Sequence, residues 1–186
     1  MASAFELLLL TQVNNLLNNT PQLIQAVQVG TNTPSVALTV PSGYKRMAVY
    51  WRVRSTVAAA GEQLYVQFNG DTSNHYLWEV NQANNATTTG GQSGGLVAFI
   101  QVATVNGATA PTGYFASGNF VVDGVADATN FASVVGSGTV HSSGTNAWTG
   151  TYGGMWANAG PITSMTLHCS SGSIVGGSSF SMYGMQ

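Results

Sequence analysis

From residue 22 onward the chain alternates apolar and polar positions in short runs, with turn-forming residues between them. The runs are LIQAVQV, SVALTV, RMAVYWRVRS, QLYVQF, GLVAFIQVATV, YFASGNFVV, FASVVGSGTV, ITSMTLHC and SFSMYGM. Between them lie TNTP, VPSG, NGDTSN, TTTGGQSGG, NGATAPTG and SSGS. Successive side chains of a strand point to opposite faces, so this period of two, broken by Gly, Pro, Asn and Asp, predicts strands and turns. In the run 47–56, Val49, Trp51 and Val53 share one face while Tyr50, Arg52 and Arg54 share the other. In 64–68, Leu64, Val66 and Phe68 face inward, and Tyr65 and Gln67 face outward. Asn69-Gly70 follows, two residues that tolerate the positive φ of a tight turn. The segment 81–95, NQANNATTTGGQSGG, is low in complexity and is predicted as an exposed loop.

Only the N-terminus has a helical period. Ser3 and Glu6 are spaced as a capping box, and Phe5, Leu8, Leu9, Val13, Leu16 and Leu17 recur on one face before Asn18-Asn19 ends the pattern. Such a stripe must be buried, either on the chain's own domain or on a neighbouring subunit. Phe5, Leu9 and Leu16 are therefore candidate partner contacts. The organisation predicted is a helical arm over 1–22 and one all-β domain over 23–186. Many short strands at regular spacing point to a jelly-roll-like antiparallel β-sandwich with an N-terminal helical arm.

Composition narrows the function classes. Only 5% of the 186 residues are charged, against about 25% in typical soluble domains. A net charge of -2 with four basic residues does not supply the phosphate neutralisation that nucleic-acid binding relies on. It also gives little colloidal repulsion, which suits a protein packed into an assembly. The basic residues Lys45, Arg46, Arg52 and Arg54 lie within ten positions, and Arg52 and Arg54 are candidate partner contacts. A single cysteine, Cys169, excludes an internal disulfide and reads as a small buried thiol. The apolar run near the start is too short to span a bilayer, and its acid is unlike a signal peptide, so neither membrane insertion nor secretion by that route is expected.

Candidate chemistry is sparse. Asn69, Asp71, Asn74 and His75 cluster in sequence, but one acid falls short of a calcium loop, and His141 and His168 are distant. Asp71 is expected instead to accept hydrogen bonds from turn amides. Asp123 and Asp127 read as a polar turn, and no nucleophile elbow or phosphate-cradling loop is present. No catalytic residue, metal ligand or cofactor follows. Trp78, Trp148 and Trp156, with Tyr152, are candidate glycan-stacking aromatics; the alternative is that they fill the core or a subunit interface.

Three blocks then carry a resemblance: VPSGYKRMAVYWRVRS, FNGDTSNHY and the C-terminal ITSMTLHCSSGSIVGGSSFSMYGMQ. In this order and spacing they resemble a group of tailed-bacteriophage virion proteins that pair an IP-x-x-Y lead-in with an FNGDT turn and end in an F-x-L-Y-G strand. The resemblance runs from about Ile24 to the end, loosely over 81–160, and the N-terminal helix is an addition to it. It implies a non-enzymatic β-sandwich virion component used in capsid decoration, tail tips or fibres. The expectation is a homo-oligomeric, trimeric decoration (cement) protein on the head exterior, assembled in the host cytoplasm and partnered by the major capsid protein or other virion proteins. The alternative is a tail-tip or tail-fibre module binding a host glycan or protein.

Overall fold

The computed structural model describes residues 20–84, 87–93, 95–141 and 147–186; the helix expected over 3–19, with Phe5, Leu9 and Leu16, lies outside them. Twelve strands follow in order: β1 (Gln22–Gln28), β2 (Ser35–Thr39), β3 (Arg46–Val53), β4 (Gly61–Phe68), β5 (Tyr76–Asn84), β6 (Thr87–Gln92), β7 (Ile100–Asn106), β8 (Ala116–Asp123), β9 (Ala132–His141), β10 (Ala147–Trp156), β11 (Ser164–Cys169) and β12 (Ser179–Met185). They form two antiparallel sheets, one ordered β1-β12-β3-β8-β9-β10-β5-β6 and one ordered β2-β11-β4-β7. The described part of the chain is thus all-β.

The nine alternating runs all form strands, and their faces are those read from the period. Val49, Trp51 and Val53 of β3 and Leu64, Val66 and Phe68 of β4 are buried. Phe120 and Val122 of β8, Met165 and Leu167 of β11 and Phe180 and Met182 of β12 complete the layer between the sheets. The C-terminal β12 is not an edge strand. It pairs with β1 on one side and β3 on the other, and so carries ladder hydrogen bonds in both directions.

Three strands escaped the pattern. β6, TTTGGQ, is exposed throughout and is a strand through its pairing with β5, from Glu79↔Gln92 to Asn84↔Thr87. The expected loop over 81–95 is therefore largely a hairpin, a correction that follows from backbone pairing and not from side-chain burial. β10 hides its alternation because glycines occupy inward positions. A Cβ on Gly154 would lie 2.5 Å from Ile100 Cγ2, and one on Gly150 would lie 2.9 Å from the Tyr152 hydroxyl. Bulk from neighbouring residues enters where β10 has none.

The same device seats Trp51. A Cβ at Gly118 or Gly138, paired across β8 and β9, would lie 2.5 and 2.7 Å from Trp51 Cζ2. β7 is buried along its whole length because it packs against β9, β10 and β5 of the larger sheet, and side chains of β10 and β5 reach its Thr104. There the Tyr152 hydroxyl accepts from the Thr104 amide (2.9 Å) and from Gln82 Nε2 (3.2 Å), satisfying a donor that no further strand reaches.

Candidate functional surface

The FNGDTSNHY stretch links β4 to β5. Asn69 (φ 53°) and Gly70 (φ 67°) both take the left-handed conformation, and the Asp71 amide closes the turn on Phe68 O at 2.8 Å. The Asp71 carboxylate, whose side chain is 12% exposed, is a hydrogen-bond hub. It accepts from the Ser73 amide (2.9 Å), from His75 Nδ1 (2.9 Å) and from Trp156 Nε1 (2.8 Å). Burial pushes its pKa up, but the donors from Trp156, His75, Ser73 and Asn158 prevail and hold it down at about 2. Asn69 Oδ1 accepts from the Thr163 and Ser164 amides at 2.7 and 3.2 Å, tying the turn to the entrance of β11. The Tyr76 hydroxyl, donating to Asp71 O at 2.9 Å and accepting from the Phe68 amide at 3.0 Å, is pushed up to about 12 by burial, against the Phe68 hydrogen bond and with the Asp71 charge. The arrangement is a rigid strand connection, as the turn-amide reading of Asp71 expected. Among the described residues no three His, Cys, Asp or Glu side chains group as metal ligands.

The arginines that lead into this unit have distinct tasks. Arg46 pairs with Asp123 at the surface. The Arg52 guanidinium lies 3.9 Å from the centroid of the Phe115 ring and donates to Gly177 O at 3.2 Å. Arg54 donates to four carbonyls, Ala108 (3.1 Å), Ala110 (2.7 Å), Pro111 (2.7 Å) and Tyr114 (3.1 Å), clasping the loop between β7 and β8. The planar five-donor fork of arginine suits such a carbonyl cage. Asp127 closes its own turn on Thr129 and Asn130, its carboxyl held low chiefly by the Asn130 side chain.

The aromatic candidates point inward. Trp156 is 2% exposed and stands among Phe68 and Tyr76, so its ring offers no face to a sugar; its role in glycan stacking is corrected to core packing and support of Asp71. Tyr152 is buried over the β7 edge. Trp78 and Trp148 are half-buried and pack on the core, with Trp148 filling the space above Gly61. Cys169 is buried, and burial, outweighing a Ser55 hydrogen bond and helped by the Glu62 charge, pushes its thiol up to about 11. A thiol so protonated at neutral pH is a poor nucleophile.

What the period did not reveal is how the outward residues of the larger sheet line up. Directly opposed residues of antiparallel strands share a face. Register places Leu23 beside Tyr183, Tyr183 beside Ala48, Ala48 beside Val121 and Val121 beside Val135. This is an apolar row across five neighbouring strands, exposed at its two ends, half-buried at Tyr183 and Val121 and buried at Ala48. Leu23 is 58% exposed and Val135 66%. Tyr50, one position along and 53% exposed, meets Tyr183 edge-on with ring centroids 5.7 Å apart. A groove of about 560 Å³ here is lined by Pro21, Ala48, Tyr50, Val121, Tyr183 and Met185. Each of these side chains reads as ordinary strand alternation; only the pairing register gathers them.

No protein-family model matches the chain. Comparison with curated proteins likewise gives no match.

Proposed function

We propose that this chain is a non-enzymatic bacteriophage virion structural protein, a decoration protein that stabilises the exterior of the head. The observation that carries the reading is the meeting of the three resemblance blocks. The lead-in block forms β3 and the C-terminal block forms β11 and β12; FNGDTSNHY joins β4 to β5. β12 pairs with β3 and β11 pairs with β4, so the blocks make one continuous piece of both sheets.

The topology supports a jelly roll. Setting β5-β6 and β9-β10 aside as insertions, the remaining strands pair first with last inward: β1 with β12, β2 with β11, β3 with β8, β4 with β7. A ribbon of such pairs wrapped into two sheets is the jelly-roll plan, used among others by viral capsid domains; that likeness is one of fold and adds weight without naming a task. The sparse charge and the exposed Leu23, Tyr50 and Val135 suit a homo-oligomer, taken as a trimer, seated on the major capsid protein.

Particles lacking the chain test this. Their heads should lose integrity at lower temperature while adsorption to host cells is unchanged. Intact heads with adsorption abolished would replace this reading with that of a tail-tip or fibre module.

A further inference from the structure

We infer that Asn69-Gly70 is a self-modification site locked by the fold, where the Gly70 amide nitrogen attacks the Asn69 side chain and expels ammonia once the segment 161–164 releases the turn. The inference goes beyond the virion reading and does not rest on it.

The chemistry needs only the dipeptide and water. The Gly70 nitrogen gives up its proton to solvent and forms a bond to Asn69 Cγ. The Cγ–Nδ2 bond breaks, and Nδ2 leaves as ammonia. Water then opens the resulting succinimide at either carbonyl, leaving aspartate or isoaspartate at position 69. Gly70 has no Cβ to shield the attacking nitrogen. Both residues are exposed, so water reaches them. Local sequence and solvent thus favour the reaction.

The fold opposes it twice. With φ of 53° and 67° and the Asp71 amide bonded to Phe68 O, the turn is of type I′, which sets ψ of Asn69 at about 30°. At that ψ the Gly70 nitrogen points away from the Asn69 Cβ, and ring closure demands a peptide rotation that breaks the turn. The side chain is also clamped. Asn69 Oδ1 accepts from the Thr163 amide (2.7 Å), the Thr163 hydroxyl (3.1 Å) and the Ser164 amide (3.2 Å). Nδ2 donates to Pro161 O at 2.9 Å, and the Asn69 amide donates to Ser164 O at 3.0 Å. The product does not fit back: a carboxylate has no donor for Pro161 O, and isoaspartate routes the backbone through its side-chain carbon. An opening of the turn is therefore recorded permanently at residue 69.

Asn106-Gly107 is the same dipeptide protected differently. Asn106 is fully buried, and the Gly107 amide, the nucleophile there, donates to Ala60 O at 3.1 Å. It serves as the internal reference.

The full chain is incubated at mildly alkaline pH, folded or in urea, and conversion of amide to acid at each site is followed by peptide mass spectrometry. Asn69 should convert roughly a hundredfold more slowly in the folded chain, as a locally open population of about one per cent gives. Thr163→Pro removes both the amide and the hydroxyl donor to Oδ1. It should speed conversion at Asn69 roughly twentyfold, about fivefold for each hydrogen bond, and leave Asn106 at the rate of the parent chain. Equal rates at Asn69 in the folded and urea-unfolded chains would overturn the inference, as would an unchanged rate in Thr163→Pro. Should that variant unfold, Asn106 converts as well and reveals it. Thr163→Val, which removes the hydroxyl alone, then takes its place with an expected acceleration of roughly fivefold, and an unchanged rate at Asn69 would overturn the inference.

Discussion

Asp71 holds the connection between β4 and β5 by accepting donors from three parts of the chain, the turn itself, β10 and the segment after it. Asp71→Asn keeps the shape but weakens charge-assisted bonds, and it should cost about 2 kcal/mol in urea unfolding. The pH dependence follows from the sign of the shift. A carboxyl lowered from 3.8 to about 2 on folding stabilises the fold fully above pH 3.8 and loses that contribution as pH falls toward 2. Thermal unfolding followed from pH 5 to pH 2 should therefore fall less steeply for Asp71→Asn than for the parent chain. Arg54 is a second residue whose task lies in its partners. Arg54→Ala should speed hydrogen exchange of the amides over 108–114, and Arg54→Lys should not restore protection, because an ammonium with three donors cannot serve four carbonyls. The sequence places Arg54 on the outward face of a strand and Asp71 in an Asn-Gly turn. It does not show the carbonyls around the first or the Trp156 indole on the second, because both come from residues more than fifty positions away.

At the scale of the element, period two identified nine strands because each has an apolar face to bury and a polar face to spare. It missed β5, β6 and β10 for three physical reasons. β5 alternates only weakly, β6 buries nothing, and β10 places glycine where other residues supply the volume. Glycine in a strand is thus informative only once the neighbour is known. Gly138→Ala puts a methyl against Trp51 and should cost about 1–3 kcal/mol, measured by chemical denaturation. If Gly138→Ala is as stable as the parent chain, the Trp51 slot is looser than its geometry says. β12 matters more than its terminal place suggests. Removing residues 179–186 deletes Phe180 and Met182 from the core, strips β1 of its strand partner and leaves β3 paired on one side only, with β8. The truncated chain should show no cooperative thermal transition, whereas a retained transition would mean that β12 is dispensable.

At the scale of the whole molecule, chemistry is scarce and surface is plentiful. Three of the four basic side chains are engaged within the chain, Arg46 with Asp123, Arg52 over Phe115 and Arg54 in its carbonyl cage. The buried thiol is held protonated, and the cluster that looked most chemical in the sequence is a rigid turn. What remains is a neutral sandwich with an apolar row on one broad face, which suits the proposed structural role. Composition made the scarcity of charge legible; the row was not, since it exists only through the register of β1, β12, β3, β8 and β9. The most direct test of the virion reading is to count copies of this chain in purified phage particles by quantitative mass spectrometry against the major capsid protein. A decoration protein predicts copies on the order of hundreds per particle, as a shell of repeated oligomers requires. Absence from the particle, or presence in only a handful of copies, would contradict it.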